Sequence, residues 1–222
     1  EGDGGALMDE FQRVVAGPAA LARVPGEWVR RRGARQHECR LCQSLRSRMV
    51  ERLKVENDLR PALERDQLEV HYQPIVSLEG QRIVGVEALI RWRHPERGLV
   101  SPGEFIPVAE ETGLIVPIGR MVLERACVQI AAWDASGGPL AGISLSVNLS
   151  ARQLPHPELL ANIETALRRA RIAPSRLTLE LTESTLMDED AGPAETLAAL
   201  RRHGVRLALD DFGTGYSSLS YL

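Results

Sequence analysis

The chain has 222 residues, of which 44% are hydrophobic and 26% charged, with a formal net charge of −3. These totals are typical of a soluble globular protein. The aromatic content of 4% and the slight negative charge argue against a nucleic-acid polymer as partner, because proteins that bind nucleic acids use basic patches and stacking surfaces.

No apolar run approaches the roughly 18–20 residues of a membrane span, so no membrane segment is expected. The acidic N-terminus does not resemble a signal peptide, and three cysteines fit a reducing compartment. We therefore expect a cytoplasmic location.

The first 43 residues differ in composition from the rest of the chain. Residues 1–43 are rich in Arg, Gly and Ala and show no sustained helix or strand period, which predicts an unassigned, poorly ordered segment. The stretch HECRLC, at 37–42, offers half of a zinc site at most, since zinc needs four ligands. The third cysteine, Cys127, lies in an apolar helical stretch and is expected in the core.

A connector helix is predicted over residues 44–67. Its apolar residues fall roughly on one stripe, and Pro61 predicts a break at Arg60. Two interpretations remain open for this helix: it packs on the domain that follows, or it pairs with a partner in signalling. The predicted stripe consists of Leu45, Met49, Leu53, Leu59 and Leu63.

From residue 68 onward the pattern alternates between strands and helices. Strands are predicted for VHYQPIVSL and RIVGVEALIRW, joined by a turn, and then for ISLSVNLS, LTLELTES and RLALDDFG. Helical segments are predicted within 102–133, over 157–171 and over 194–203. Helices of this length between strands indicate βα units and a parallel sheet. A βα barrel is the leading architecture, and an open doubly wound sheet is the alternative.

Polar side chains recur on one face of four predicted strands. Residues two apart share a strand face. In the last three of these strands the leucine face suits packing against helices, while the polar residues look into a barrel; in the first strand Glu87, Leu89 and Arg91 share one face. The convergence of carboxylates calls for a cation, and oxygen ligands without His or Cys suit Mg²⁺ or Mn²⁺. For a single residue the alternatives are ordinary, such as a helix cap at Asp211 or an Asx turn at Asn148. The candidate metal ligands are Glu87, Asn148, Glu180, Asp210 and Asp211.

Several of these segments together resemble the EAL family of cyclic di-GMP phosphodiesterases. The resemblance rests on VHYQPIVSL, the long segment VGVEALIRWRHPERGLVSPGEFIPVAEETGLI, SVNLSARQL, LELTES and LALDDFGTGYSSLSYL, which occur in family order over residues 68–222. The three letters EAL at 87–89 alone would carry no weight. The resemblance implies a fold like a (β/α)8 barrel and hydrolysis of one phosphodiester bond of cyclic di-GMP to give linear pGpG.

The resemblance also implies roles for individual residues. Glu87, Asn148, Glu180 and Asp210 match the family's metal ligands, and Asp211 matches the acid that serves the second metal. Catalysis is accordingly assigned to Glu87, Asp210 and Asp211. The substrate-contacting positions match Gln73, Leu89 and Arg91.

The end of the sequence also resembles a regulatory feature of the family. The segment DFGTGYSSL resembles a loop that links metal binding to dimerisation, which implies a possible homodimer through residues 210–219. The connector helix resembles one that often follows a GGDEF cyclase domain, so an upstream GGDEF or sensory domain is expected in the parent protein.

The family pattern continues past the strand that ends at Asp211, with a catalytic lysine and a further glutamate on later strands. We therefore expect 68–222 to be a partial EAL domain, a C-terminally truncated barrel. Three hypotheses follow: a phosphodiesterase whose missing strands are supplied by another chain, a non-catalytic cyclic di-GMP-binding or dimerisation module, and an inactive gene fragment.

Overall fold

The computed structural model describes residues 40–79, 82–182 and 192–210. The chain divides into two compact units, Glu1–Ser47 and Arg48–Leu222, and almost everything described below lies in the second. The predictions for residues 1–39, including the first half of HECRLC, lie outside the described residues. The domain boundaries at 43 and 67 remain predictions.

The described elements follow the predicted alternation, with one addition. A three-residue strand, β3, follows β2, and no sequence pattern had indicated it. The strands are β1 (Leu68–Val76), β2 (Ile83–His94), β3 (Gly98–Val100), β4 (Ser144–Asn148), β5 (Leu177–Thr182) and β6 (Arg206–Asp210). The helices are α1 (Arg40–Glu64), α2 (Pro102–Glu111), α3 (Ile115–Ser136), α4 (Leu159–Ala170) and α5 (Gly192–Arg202), with short 3₁₀ turns at Ala151–Gln153 and Pro174–Arg176.

The strands form one mixed sheet in the order β1-β2-β4-β5-β6, with β3 paired to β2. The β1–β2 hairpin is antiparallel, and β2, β4, β5 and β6 are parallel. The strands advance in one direction in chain order, whereas a doubly wound sheet reverses direction at its middle. The order therefore favours the barrel over the predicted alternative. Within the described residues the sheet is open, with β1 at one edge and β6 at the other.

The core lies between one face of this sheet and the helices. The leucines of β5 are buried, as the two-residue alternation predicts, and so are the apolar residues of β4. Trp92 of β2 packs edge-on against Phe105 of α2, with ring centroids 5.7 Å apart, and Tyr72 of β1 does the same with Trp133 of α3 at 5.1 Å. On β6 the leucine face is only partly covered: Leu209 is exposed.

Cys127 of α3 is buried, as expected for a core residue. Burial raises the pKa of its thiol to about 12.

In the described parts of the chain, no helix combines the length and the apolar character that a membrane crossing requires.

The structure corrects the prediction for α1 in two respects. The helix runs without a break from Arg40 to Glu64 with Pro61 inside it. Leu59 and Ala62, on either side of the proline, are fully buried at 0% exposure, so tertiary packing holds a segment whose local preference is to break. The predicted apolar stripe is wrong at Met49 and Leu53, which are 67% and 55% exposed, whereas its members Leu59 and Leu63 are buried or packed against the core. Val55 and Ala62, which the stripe did not include, complete the buried face.

Candidate metal centre

The polar faces of the strands meet on the side of the sheet opposite the helices. Parallel pairing sets Glu87 of β2 beside Ser146 of β4, and sets Asn148 beside Glu180 of β5. Paired residues of neighbouring strands point to the same face of a sheet. Four of the five predicted metal ligands therefore share one face of the sheet: Glu87, Asn148, Glu180 and Asp210.

These ligands form a staircase rather than a level row. Asn148 is level with Glu180, but it stands two residues beyond Ser146, the partner of Glu87. Asp210 of β6 is level with Thr182, again two residues beyond Glu180. A closing barrel needs tilted strands with a staggered register, so positions at one height along the barrel axis are offset along successive strands.

The side-chain contacts follow the diagonals of this staircase. Asn148 Nδ2 donates to Glu87 Oε1 at 2.8 Å, and Ser146 donates a side-chain hydrogen bond to Glu180. The backbone N–H of Leu149 donates to the carbonyl of Glu180 at 2.8 Å, which joins the ends of β4 and β5. The structure thus brings Glu87, Asn148 and Glu180 into one connected group.

Electrostatics at this group disfavour a further negative charge. Burial raises the pKa of the Glu180 carboxyl, and the nearby carboxylates of Glu87 and Asp210 raise it too, while the hydrogen bond from Ser146 opposes the rise. A cation among the three acids would remove the repulsion that contributes to this rise. The donor set consists of carboxylate and amide oxygens, which are the ligands that Mg²⁺ and Mn²⁺ prefer.

The described side chains alone do not complete a metal site. Within these parts of the chain, no three His, Cys, Asp or Glu residues form a cluster that could hold a metal ion. Asp211, the fifth predicted ligand, lies outside the described residues, as does nearly all of the 210–219 loop. The fit of the donors to a divalent cation therefore rests on their shared face, their diagonal contacts and their mutual repulsion.

The predicted substrate-contacting residues lie beside this group. Gln73 of β1 is the direct cross-strand partner of Glu87 and is exposed. Leu89 and Arg91 follow Glu87 on the same face of β2, and both are half-buried. A groove lined partly by Leu89, Arg91, Asn148 and Thr182 opens at this edge. Arg91 Nη1 donates to the carbonyl of Ile90 at 2.8 Å.

Sequence reasoning missed the residues that hold the end of β4. Ser150 Oγ donates to Glu110 Oε1 of α2 at 2.7 Å, and the buried Gln153 accepts from the Ser150 backbone N–H at 3.0 Å. The Ser-x-x-Gln spacing from 150 to 153 is the signature of a capping box, so this part was readable from the sequence. The contact to Glu110 joins residues 40 positions apart, and no local pattern indicates it.

Comparison with known proteins places the chain in a family. The family model described as "EAL domain" matches residues 56–222. The bifunctional diguanylate cyclase/cyclic di-GMP phosphodiesterase MucR of Pseudomonas aeruginosa is 47% identical over 184 residues, which is 83% of this chain and 27% of that protein. The cyclic di-GMP phosphodiesterase PdeR of Escherichia coli is 39% identical over 195 residues, covering 88% of this chain and 29% of that protein.

A solved structure gives the same result. "PaMucR Phosphodiesterase, c-di-GMP complex" superposes with a TM-score of 0.68 at 49% identity, over 76% of this chain and 67% of that one. The chain thus spans less than a third of the length of these curated relatives.

Proposed function

Because this chain belongs to the EAL domain family, we propose that it hydrolyses one phosphodiester bond of cyclic di-GMP to linear pGpG, with Mg²⁺ or Mn²⁺ as cofactor. The observation that carries the proposal is the staircase of oxygen donors on the face opposite the helices, where Glu87, Asn148 and Glu180 are already in contact or in register. Relatives named as cyclic di-GMP phosphodiesterases support the substrate.

In this proposal one set of side chains holds the cation and a second set holds the substrate. Glu87, Asn148, Glu180, Asp210 and Asp211 would hold the divalent cation or cations. When bound, such ions supply a nucleophilic water at neutral pH and stabilise the charge that develops on the leaving oxygen.

Beside the cation, three residues of the β1–β2 hairpin would hold cyclic di-GMP. Arg91 is suited to a charge-assisted hydrogen bond with a phosphate oxygen. Gln73 provides an amide across from Glu87, and Leu89 an apolar contact between Glu87 and Arg91. These three side chains would orient the substrate on the same face of the sheet that carries the acids.

The wider setting is also part of the proposal. The name of MucR pairs a diguanylate cyclase with the phosphodiesterase, which supports an upstream GGDEF or sensory domain in the parent protein. We assign the chain to the cytoplasm, and we assign a homodimer contact to the loop at 210–219.

The test is to incubate the purified chain with cyclic di-GMP and either Mg²⁺ or Mn²⁺, and to measure binding and pGpG together. We expect turnover that Glu87→Ala abolishes. The matched control is Glu79→Ala, an exposed acid in the turn between β1 and β2, which should leave turnover unchanged. Binding without turnover would instead indicate a receptor. A folded chain that neither binds cyclic di-GMP nor hydrolyses it would overturn the proposal.

A further inference from the structure

The segment that follows β4 is held in place from several directions. Ser150, two residues after Asn148, donates through Oγ to Glu110 Oε1 at 2.7 Å. The same Oγ accepts from the backbone N–H of Arg152 at 3.2 Å, and the Ser150 N–H donates to Gln153 Oε1 at 3.0 Å. The side-chain hydroxyl and the backbone N–H of Ser150 are thus both engaged in hydrogen bonds.

Gln153, which holds the backbone of Ser150, packs against α3. Gln153 is only 6% exposed, and its amide lies against Gly119, where a Cβ atom would come within 2.0 Å of Gln153 Nε2. Because Gly119 has no side chain, the amide of Gln153 can sit on the helix surface. The position of Gln153, and through it that of Ser150, is therefore set by α3.

The contacts of Leu149 and Ser150 restrain the backbone next to one candidate metal ligand, Asn148. Asn148 is the last residue of β4, and the Leu149 N–H that follows it is fixed to the Glu180 carbonyl. The backbone on the C-terminal side of Asn148 is thus tied to β5 at Leu149, and to α2 and α3 at Ser150. Loosening the Ser150 anchor would let the end of β4, and the amide of Asn148 with it, change direction.

Building on the proposed function, we propose that Glu110, acting through Ser150, is a positioning residue that aims Asn148 at the divalent cation. Its carboxylate accepts the hydrogen bond that the Ser150 hydroxyl donates. A carboxylate acceptor gives the contact a direction that an apolar contact would lack. Groups that orient a metal ligand in this way tune metal affinity without touching the metal.

The experiment measures Mn²⁺ affinity by isothermal titration calorimetry, beside the thermal unfolding midpoint, for the whole chain. Glu110→Ala should weaken Mn²⁺ binding about 10-fold or more, the usual effect of losing a group that orients a ligand. Glu110→Gln keeps an acceptor for the Ser150 hydroxyl and should restore most of the affinity. The control is Glu104→Ala on the same helix, which pairs with Arg97 at the surface and should leave Mn²⁺ affinity unchanged.

A second comparison shows whether Glu110 acts through Asn148. In an Asn148→Ala background, Glu110→Ala should weaken Mn²⁺ binding no further. Additive losses, or a fall in the unfolding midpoint with unchanged Mn²⁺ affinity, would reduce Glu110 to a structural role and overturn the inference. If Glu110→Ala does not fold, Ser150→Ala carries the same test. A wild-type chain that binds no Mn²⁺ would contradict the proposed function itself, whereas wild-type binding with unaffected variants contradicts this inference alone.

Discussion

At Gly119, the space that a side chain would occupy is taken by Gln153. A Cβ atom added to this glycine would lie 2.0 Å from Gln153 Nε2, which leaves no room for a methyl group. An exposed glutamine would swing aside at little cost, but Gln153 is buried and its amide is tied to Ser150. This glycine is therefore required by a neighbour, since no unusual backbone angle is involved.

We predict that Gly119→Ala lowers the free energy of unfolding by on the order of 1 kcal/mol. Overpacking costs about 1–3 kcal/mol, and the better helix propensity of alanine recovers about 1 kcal/mol. Urea denaturation measures the difference. Gly103 of α2 is the matched control, because its nearest neighbour to an added Cβ is at 3.8 Å, so Gly103→Ala should be neutral or stabilising. Adding Gln153→Ala should turn Gly119→Ala stabilising, and failure of that reversal would show that the clash is not the cause.

At the scale of elements, one ion pair joins a helix to two strand starts. Asp134 near the end of α3 accepts from Arg176 Nη1 at 2.7 Å and Nη2 at 3.0 Å, and from the Gly142 N–H at 2.7 Å. Arg176, just before β5, also donates to the carbonyl of Ile143, just before β4. The pair thus fixes where both strands enter the sheet.

The pair predicts a dependence of stability on pH. The hydrogen bonds from Arg176 lower the pKa of the Asp134 carboxyl. A carboxyl whose pKa is lower in the folded than in the unfolded chain stabilises the fold at pH values above the unfolded pKa, which is about 3.9, and loses that contribution as the pH falls through the folded value. Asp134→Asn should therefore lower the free energy of unfolding by about 1–3 kcal/mol at pH 7. Denaturation from pH 7 downward should show this difference shrinking only below about pH 4, and a constant difference would contradict the assignment.

Helix α1 shows packing overriding local preference, and it supports a direct comparison within one helix. Leu59→Ala removes a fully buried side chain and should lower the free energy of unfolding by about 2–5 kcal/mol. Leu53→Ala, six residues earlier on an exposed position, should change it by less than about 0.5 kcal/mol. Thermal or urea unfolding of both variants checks this, and similar losses would restore the stripe predicted from the sequence.

The elements also show what the sequence could predict. Two-residue alternation was enough to predict the buried leucines of β5 and the polar faces of β4 and β5, because a strand has only two faces. It could not predict the stagger that makes Asn148 contact Glu87, because register depends on pairing between strands. Nor could it predict the helix through Pro61 or the contact from Ser150 to Glu110, since both depend on distant packing partners.

At the scale of the whole molecule, the sheet brings like charges together on the face opposite its core. Its strand order and pairing register place Glu87 and Asp210 close enough to Glu180 for their carboxylates to raise the pKa of the Glu180 carboxyl. Such an arrangement weakens the metal-free fold. It also lets a cation that binds only the folded state stabilise that state by mass action. Stability and the proposed function therefore oppose each other at Glu180.

We predict that Glu180→Gln separates these two effects. Without divalent ions, removing one charge relieves the repulsion and should raise the free energy of unfolding by on the order of 0.5 kcal/mol, since the group is only partly buried. With saturating Mn²⁺ the wild-type chain should gain about 2.7 kcal/mol at 100 times its dissociation constant, and the variant should gain far less. Thermal unfolding with EDTA and with Mn²⁺ measures both, and Glu79→Gln, in the exposed turn between β1 and β2, should behave like wild type. Equal Mn²⁺ stabilisation of Glu180→Gln and wild type would remove Glu180 from the metal-binding set, because a ligand that binds through this carboxylate cannot stabilise both chains alike.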